Sequence, residues 1–249
     1  MEEQRNYHVR SSLYAPLALI LIAAAAIVFL SLFFRVSIIQ VKNDTVYTDE
    51  EIMAASGIEK GVNLLFINNF SAVSSIYATM PYVESVSLKR AMPNRIILEV
   101  TGSEAAACVS FGDDYWLINA SGKLLEKIDA RAARSFIRVE GMEPLQPVAG
   151  EIMTVSEENT GKDVFLYELL GQFRLRNIVK KIDWVDLSDL NDPRFSYDGR
   201  YTVILSSTTD LSRRLSLIES AIDQLAEGDA GTLELEMAGE SSKVFFSPN

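Results

Sequence analysis

The chain has 249 residues, with 23 Lys and Arg against 34 Asp and Glu and a formal net charge of -11. That balance argues against a nucleic-acid partner, which calls for a basic face, and against electrostatic attraction of the folded body to anionic lipid. Cys108 is the only cysteine and His8 the only histidine, so there is no intramolecular disulfide and the body must be held by its own apolar cores. Its length suits one or two small domains.

Residues 13–34 form an apolar run without a charge. As a helix the run spans about 33 Å, enough to cross the roughly 30 Å hydrocarbon core of a bilayer once. A secretory signal has a shorter apolar stretch and a small-x-small cleavage site. Here the run ends in bulky Leu32-Phe33-Phe34-Arg35, and its small residues, Ala23 to Ala26, lie in its middle. The reading is an uncleaved anchor, with Leu13, Leu17, Leu21, Ile27 and Phe34 as its anchor residues. Arg5 and Arg10 flank it on one side, Arg35 and Lys42 on the other, so flanking charge does not fix the orientation. A tail-in, body-out arrangement is the expectation.

After the anchor, Val36-Ser37-Ile38-Ile39-Gln40-Val41 is rich in β-branched residues and predicts a strand. Thr48-Asp49-Glu50-Glu51 is a capping box opening a helix that Gly57 closes. A second helix is predicted from Ser71, ending before Pro81. Strands at 83–89 and 95–100 follow, joined by the Ala91-Met92-Pro93-Asn94 turn. In the later strand Ile96, Leu98 and Val100 share one face. Strand, helix, helix, strand, strand is a compact α+β module.

Glu104-Ala105-Ala106-Ala107 carries little β signal and reads as a join. Beyond it, 115–118 and the Asn119-Ala120-Ser121-Gly122-Lys123-Leu124-Leu125 segment predict a hairpin. Strands are expected at 136–139, 182–187 and 201–205. A helix is expected at 161–176, with Phe165, Leu169, Leu170 and Phe173 buried. Leu211, Leu215, Ile218, Ile222 and Leu225 mark the apolar face of another helix, closed by Gly228. Leu233, Leu235 and Met237 point inward from a strand at 232–237, and Lys243-Val244-Phe245-Phe246 forms a last short strand. This second part is a larger mixed-sheet domain with two helices.

The motifs of common catalysts are missing. A Ser or Cys triad needs a histidine, and the body holds none. His-Glu-x-x-His, Ser-x-x-Lys, the P-loop and the dinucleotide fingerprint are also absent. Any carboxylate pair could serve glycoside cleavage, and Asp113-Asp114 is the obvious one, but adjacent acids in a turn are ordinarily solvated. Asp186, Asp189 and Asp192 lack the Gly and terminal Glu of a calcium loop and fit Asx turns better. Cys108, among small and apolar neighbours, reads as a buried, inert thiol. Neither metal nor cofactor is expected, and a binding role leads.

In their order these residues resemble the FtsQ/DivIB family of cell division proteins. After the short tail and anchor, Thr48-Asp49-Glu50-Glu51, Gly57-Ile58 and Gly61-Val62-Asn63-Leu64-Leu65 are similar to the start of the POTRA domain in that family. Pro81-Tyr82-Val83, Lys89-Arg90 and Met92-Pro93-Asn94-Arg95 match its next landmarks. Tyr115-Trp116-Leu117-Ile118-Asn119 with Ser121-Gly122, Gly231-Thr232-Leu233-Glu234-Leu235 and Phe246-Ser247-Pro248 match the β domain behind it. Ala105-Ala106-Ala107 and Leu205-Ser206 depart from the family pattern, in place of a more usual Pro-Val-Ala and a common glycine.

The resemblance implies a tail at 1–12, a transmembrane helix at 13–34, a POTRA-like domain at 35–103 and an FtsQ/DivIB-type β domain at 104–249. It also implies a non-catalytic scaffold that binds FtsL and FtsB/DivIC-type partners outside the membrane, in support of the septal wall synthase. The candidate contact set is Leu233, Leu235, Met237, Lys243, Val244, Phe245 and Phe246, acting by strand addition. Alternation lets only one of the phenylalanines face the core, leaving the other for a partner; which of the two does so is left open, charge substitution at Phe246 is expected to abolish capture, and the alternative is that both are buried. Lys89-Arg90 is a second possible contact, with a solvated strand end as its plainer reading. The rival readings are a membrane-anchored wall hydrolase using a carboxylate pair, and a POTRA-containing transport or sensor protein of the envelope.

Overall fold

The computed structural model describes residues 5–226, 228–238 and 241–248; the side chains of 5–13, 237, 238, 241 and 242 lie outside the described set. Contacts divide the chain into two units between Gly102 and Ser103.

The first unit opens with α1 (Arg5–Phe33). Its stretch Tyr14–Phe33 is, among the described residues, the one helix long and apolar enough to cross a membrane. The helix stops at Phe33 because the chain beyond it finds other partners. Leu64 donates its amide to the Phe34 carbonyl at 2.7 Å, Val36 to Val62 at 2.9 Å, and Gly61 to Val36 at 2.8 Å. The Asn63 side-chain amide donates to the carbonyls of Leu30 (3.3 Å) and Ser31 (3.4 Å), in the last turn of α1, where intrahelical donors run out. Phe34, the last residue of the expected anchor, is therefore a junction residue packed against the first core.

The POTRA-like module follows as β1 (Ile38–Asn43), α2 (Asp49–Ser56), a single 3-10 turn (Leu64–Phe66), α3 (Asn69–Thr79), β2 (Val83–Ala91) and β3 (Arg95–Gly102). β1 runs parallel to β3 and β2 antiparallel to it, giving the order β1-β3-β2. A parallel pair needs a crossover, and α2 and α3 supply it. Their buried Ile52 and Ile76 meet Leu64, Val83, Ile96, Leu98 and Val100 in one core. The expected capping box forms: the Thr48 amide and hydroxyl bind the Glu51 carboxylate and hold its pKa below the ordinary value, while the Glu51 amide donates to Thr48 Oγ1. Gly57 closes α2 in the left-handed region at φ 64°, its amide donating to Ala54. α3 starts at Asn69, earlier than expected, because the Asn68 side chain accepts the Ser71 amide as its N-cap.

The second unit contains β4 (Ala107–Phe111), β5 (Asp114–Ile118), β6 (Leu124–Ile128), β7 (Ile137–Glu140), α4 (Lys162–Leu175), β8 (Trp184–Asp186), β9 (Arg194–Tyr197), β10 (Tyr201–Ile204), α5 (Leu211–Ile222), β11 (Gly231–Ala238) and β12 (Ser241–Pro248). They form a nine-stranded mixed sheet in the order β12-β11-β10-β9-β8-β7-β4-β5-β6. Phe165, Leu166, Leu169, Leu170 and Phe173 of α4 and Leu211, Leu215 and Ile218 of α5 share one core with its strands. α5 ends at Ile222, so Leu225 packs on that core from the following turn, not from the helix.

β4 begins inside the expected join. Ala107, Cys108 and Val109 are all fully buried, and β4 is paired with β5 on one side and β7 on the other. A strand covered on both faces carries no alternation. β9 is the other unexpected strand. Its Ser196 is buried, and its hydroxyl accepts the amides of Asp183 and Trp184.

Candidate partner-binding edge

The last strands are positioned by a β-α-β crossover. β10 and β11 are parallel, with Tyr201 opposite Gly231 and Val203 opposite Leu233, so the chain between them must return over the sheet, and α5 does so. One residue on the buried face of α5 is polar: Arg214, 5 % exposed. It donates from Nε to the Thr209 carbonyl and from Nη1 to the Leu205 carbonyl, each at 2.6 Å. Burial lowers its pKa, which Asp210 opposes. The guanidinium thus ties the helix start to the end of β10.

β11 then pairs with β12 in antiparallel register, Leu233 facing Phe246, Glu234 facing Phe245, Leu235 facing Val244 and Glu236 facing Lys243. Gly231 makes the close approach possible. A Cβ there would lie 2.2 Å from the Ser247 carbonyl oxygen and 3.0 Å from the Phe246 ring. At the opposite end of the sheet, the start of β6 is covered: Leu124 donates to Glu151 and accepts from Gly150. Among the described residues β12 pairs with β11 alone, so it is the uncovered edge.

The candidate residues separate by face. Leu233 (1 % exposed) and Leu235 (0 %) lie in the core on a strand paired along both sides. They support the edge and are shielded from a partner. Val244 and Phe246 are partly buried against the same core, and the Phe246 ring stands edge-on to Tyr201 with centroids 6.3 Å apart. Phe245 is 46 % exposed and shares the solvent face with exposed Lys243, Glu234 and Glu236. Of the two phenylalanines, Phe246 thus seats the strand and Phe245 is exposed, so a charge at Phe246, the substitution expected from the sequence, would also disturb the core. Met237 is in β11 opposite Ser242; its side chain lies outside the described set. Tyr201, Gly231 and Arg214 belong to the support of the edge, and only the glycine stood out in the sequence.

On α1, Leu17, Leu21 and Ile27 are exposed along the helix, and the side chain of Leu13 lies outside the described set. Lys89 is paired with Glu99, which also binds Lys42 at 2.9 Å; these bonds hold the Glu99 pKa down to about 2. Arg90 donates to the Ile67 carbonyl and to Asn69 Oδ1, so both members of the basic pair have internal partners. Asp114 is bound to Lys127 at 2.6 Å. Asp186 and Asp189 accept the amides of Ser188 and Asn191, the Asx-turn arrangement. Among the described residues no group of three His, Cys, Asp or Glu is placed to hold a metal ion. Cys108 is buried, which pushes its thiol up to about 11.

A profile of FtsQ-type POTRA domains matches residues 34–101. Over 195 residues, 78 % of this chain and 72 % of the relative, the sequence is 24 % identical to the cell division protein DivIB of Clostridium tetani. It is 22 % identical to DivIB of Clostridium botulinum (strain Hall) over 216 residues, 86 % of this chain and 82 % of the relative. It is also 28 % identical to the cell division protein FtsQ of Syntrophotalea carbinolica over 134 residues, 54 % of this chain and 47 % of that one.

Proposed function

Because the chain belongs to the FtsQ/DivIB family of cell division proteins, we propose that it is a non-catalytic, single-pass scaffold of the division complex whose final strand captures FtsL- and FtsB/DivIC-type partners outside the membrane. In this reading residues 1–12 are cytoplasmic, 13–34 span the plasma membrane, and the two folded units hold the septal wall synthase machinery from the outer side.

The observation that supports it is β12: a long strand ending the nine-stranded sheet, with its outer edge unpaired among the described residues and Phe245 displayed beside Lys243. An extended partner segment adds to such an edge through main-chain hydrogen bonds, and side-chain contacts on the two faces give selectivity. Lys243 discourages indiscriminate edge pairing, and a partner that carries an acid opposite it, or an apolar group beside Phe245, overcomes that deterrent.

The test is capture of a co-expressed FtsL–DivIC-type pair by the full chain. Phe245→Asp is expected to abolish capture while the fold stays intact, since the side chain is turned away from the core. Capture at the parental level by the folded variant refutes the assignment of this edge.

A further inference from the structure

The segment from Gly61 to Phe70 contains no charged residue, and it displays Phe66, 85 % exposed, and Phe70, 80 % exposed, with Val62 and Leu65 also exposed. Isolated exposed apolar residues are ordinary; several on one short segment mark an interaction surface. The segment also has a fixed place. Asn63 is bonded to the last turn of α1 through its side-chain amide, Leu64 is bonded to Phe34 through its backbone, and Val36 pairs with Gly61 and Val62. Phe66 ends the 3-10 turn that Asn63 itself caps, its Oδ1 accepting the Leu65 amide at 2.9 Å. Arg90 reaches across from β2 to hold the Ile67 carbonyl and Asn69 between the two phenylalanines. The exposed aromatics are therefore mounted on a braced loop beside the end of the apolar helix.

A cavity of about 350 Å³ opens next to this loop, lined in part by Ile58, Val62, Phe66, Ile67 and Ala72. Asn63, which is bonded to the last turn of α1, also lines it. With α1 in a bilayer, the end of its apolar stretch lies at the boundary between hydrocarbon and headgroups, and a loop tied to that turn lies at the same depth. Aromatic rings find part of their burial there without leaving the protein.

We propose that the 61–70 loop is a lipid-contact surface, which inserts Phe66 into the outer interfacial region of the same membrane that α1 spans and so fixes the tilt of the first unit on the bilayer. This rests on the reading of α1 as a membrane span. The attraction is apolar, so it does not require anionic lipid, in keeping with a chain of net charge -11. Asn63 acts as the latch that converts helix depth into loop depth.

The test places an environment-sensitive fluorophore on single introduced cysteines in the full chain, reconstituted alone into discs of zwitterionic phosphatidylcholine. Cys108 is buried with its thiol pushed up to about 11, so it stays unlabelled in the folded protein. Sites are Leu21→Cys within the helix, Phe66→Cys on the loop, and Val46→Cys as an exposed control. Val46 follows β1, whose six residues carry the chain about 20 Å along the strand from the junction. The expected result is a blue shift and strong quenching by spin-labelled lipid at positions 21 and 66, deep-label quenching at 21 and shallow-label quenching at 66, with neither effect at 46. Quenching at 21 with a water-like, unquenched label at 66 overturns the proposal, leaves the membrane span standing and assigns the loop to solvent or to a protein partner. No quenching at either site removes the span and the proposal together. A signal at 66 that appears only with anionic lipid also overturns it, since it replaces apolar insertion with electrostatic attraction.

Discussion

Truncating the two neighbouring phenylalanines of β12 separates what holds the edge from what uses it. Phe→Ala at a fully buried site costs about 3–5 kcal/mol. Phe246 is only partly buried against the core, so roughly half of that range applies, and the lost edge-to-face contact with Tyr201 brings the sum to about 2–3 kcal/mol. Phe245, nearly half exposed, should cost no more than about 0.5 kcal/mol. The assay is urea unfolding of the full chain in lipid discs, followed by the fluorescence of Trp116 and Trp184, which both lie in the second unit. With a slope of about 2 kcal/mol per molar for a domain of this kind, Phe246→Ala moves the midpoint down by roughly 1 M and Phe245→Ala leaves it nearly in place. Partner affinity should run the other way for Phe245: as an interface anchor its truncation costs at least about 2 kcal/mol, close to thirtyfold in Kd. Equal midpoint shifts for the two variants, or a larger shift for Phe245→Ala, would refute the assignment of faces.

Arg214→Met removes both hydrogen bonds to the Leu205 and Thr209 carbonyls while keeping much of the side chain's apolar length. At roughly 1.5 kcal/mol or more for each charge-assisted bond, the second unit should lose about 3 kcal/mol, measured as the same urea midpoint; an unchanged midpoint would show that the guanidinium is incidental. In the first unit, Glu99 titrates from an ordinary 4.5 in the unfolded chain and from about 2 when folded, because Lys89 and then Lys42 bind its ionised form. A depressed carboxylate contributes its stability above 4.5 and loses it as pH falls toward 2. Amide exchange in β2 and β3 should therefore accelerate relative to Glu99→Gln between pH 5 and pH 3; the pair is solvent-facing, so the effect is small and shrinks with added salt. Parallel behaviour of parent and variant across that window would remove Glu99 from the acid response.

The first unit was the more legible of the two because its signals are local. Thr48 and Glu51 sit at the spacing of a capping box, Gly57 ends the helix, and Ile96, Leu98 and Val100 alternate on a strand with one buried face. Each is decided within a few residues. In the second unit the misread elements are those whose environment is set from far along the chain. Ala107, Cys108 and Val109 become strand because β5 and β7 take both of their edges, and no window around three small residues contains that information. β9 follows Asp192 and Pro193, which favour a turn, yet Phe195 is buried and pairs with Val185 and Val203. The burial of Arg214 was not legible either, because its partners are the Leu205 and Thr209 carbonyls of a loop whose course the sequence does not reveal.

The candidate site illustrates the same division at single-residue scale. Alternation along β12 states that neighbouring phenylalanines oppose one another, but it does not say which is inside, because a slip of one residue in register exchanges them. What fixes the register is Gly231. A side chain there would meet the Ser247 carbonyl and the Phe246 ring, so only glycine lets the end of β12 close onto β11 with Phe246 turned toward Tyr201. Once that contact is made, Phe245 has no route to the core and stands beside the outer edge of β12, which is unpaired among the described residues. Catalytic sites announce themselves through residue types whose chemistry is scarce. A strand-addition site consists of main-chain groups that every residue possesses, so its position follows from strand order and register, and a glycine two strands' width from the partner can decide which side chain the partner meets.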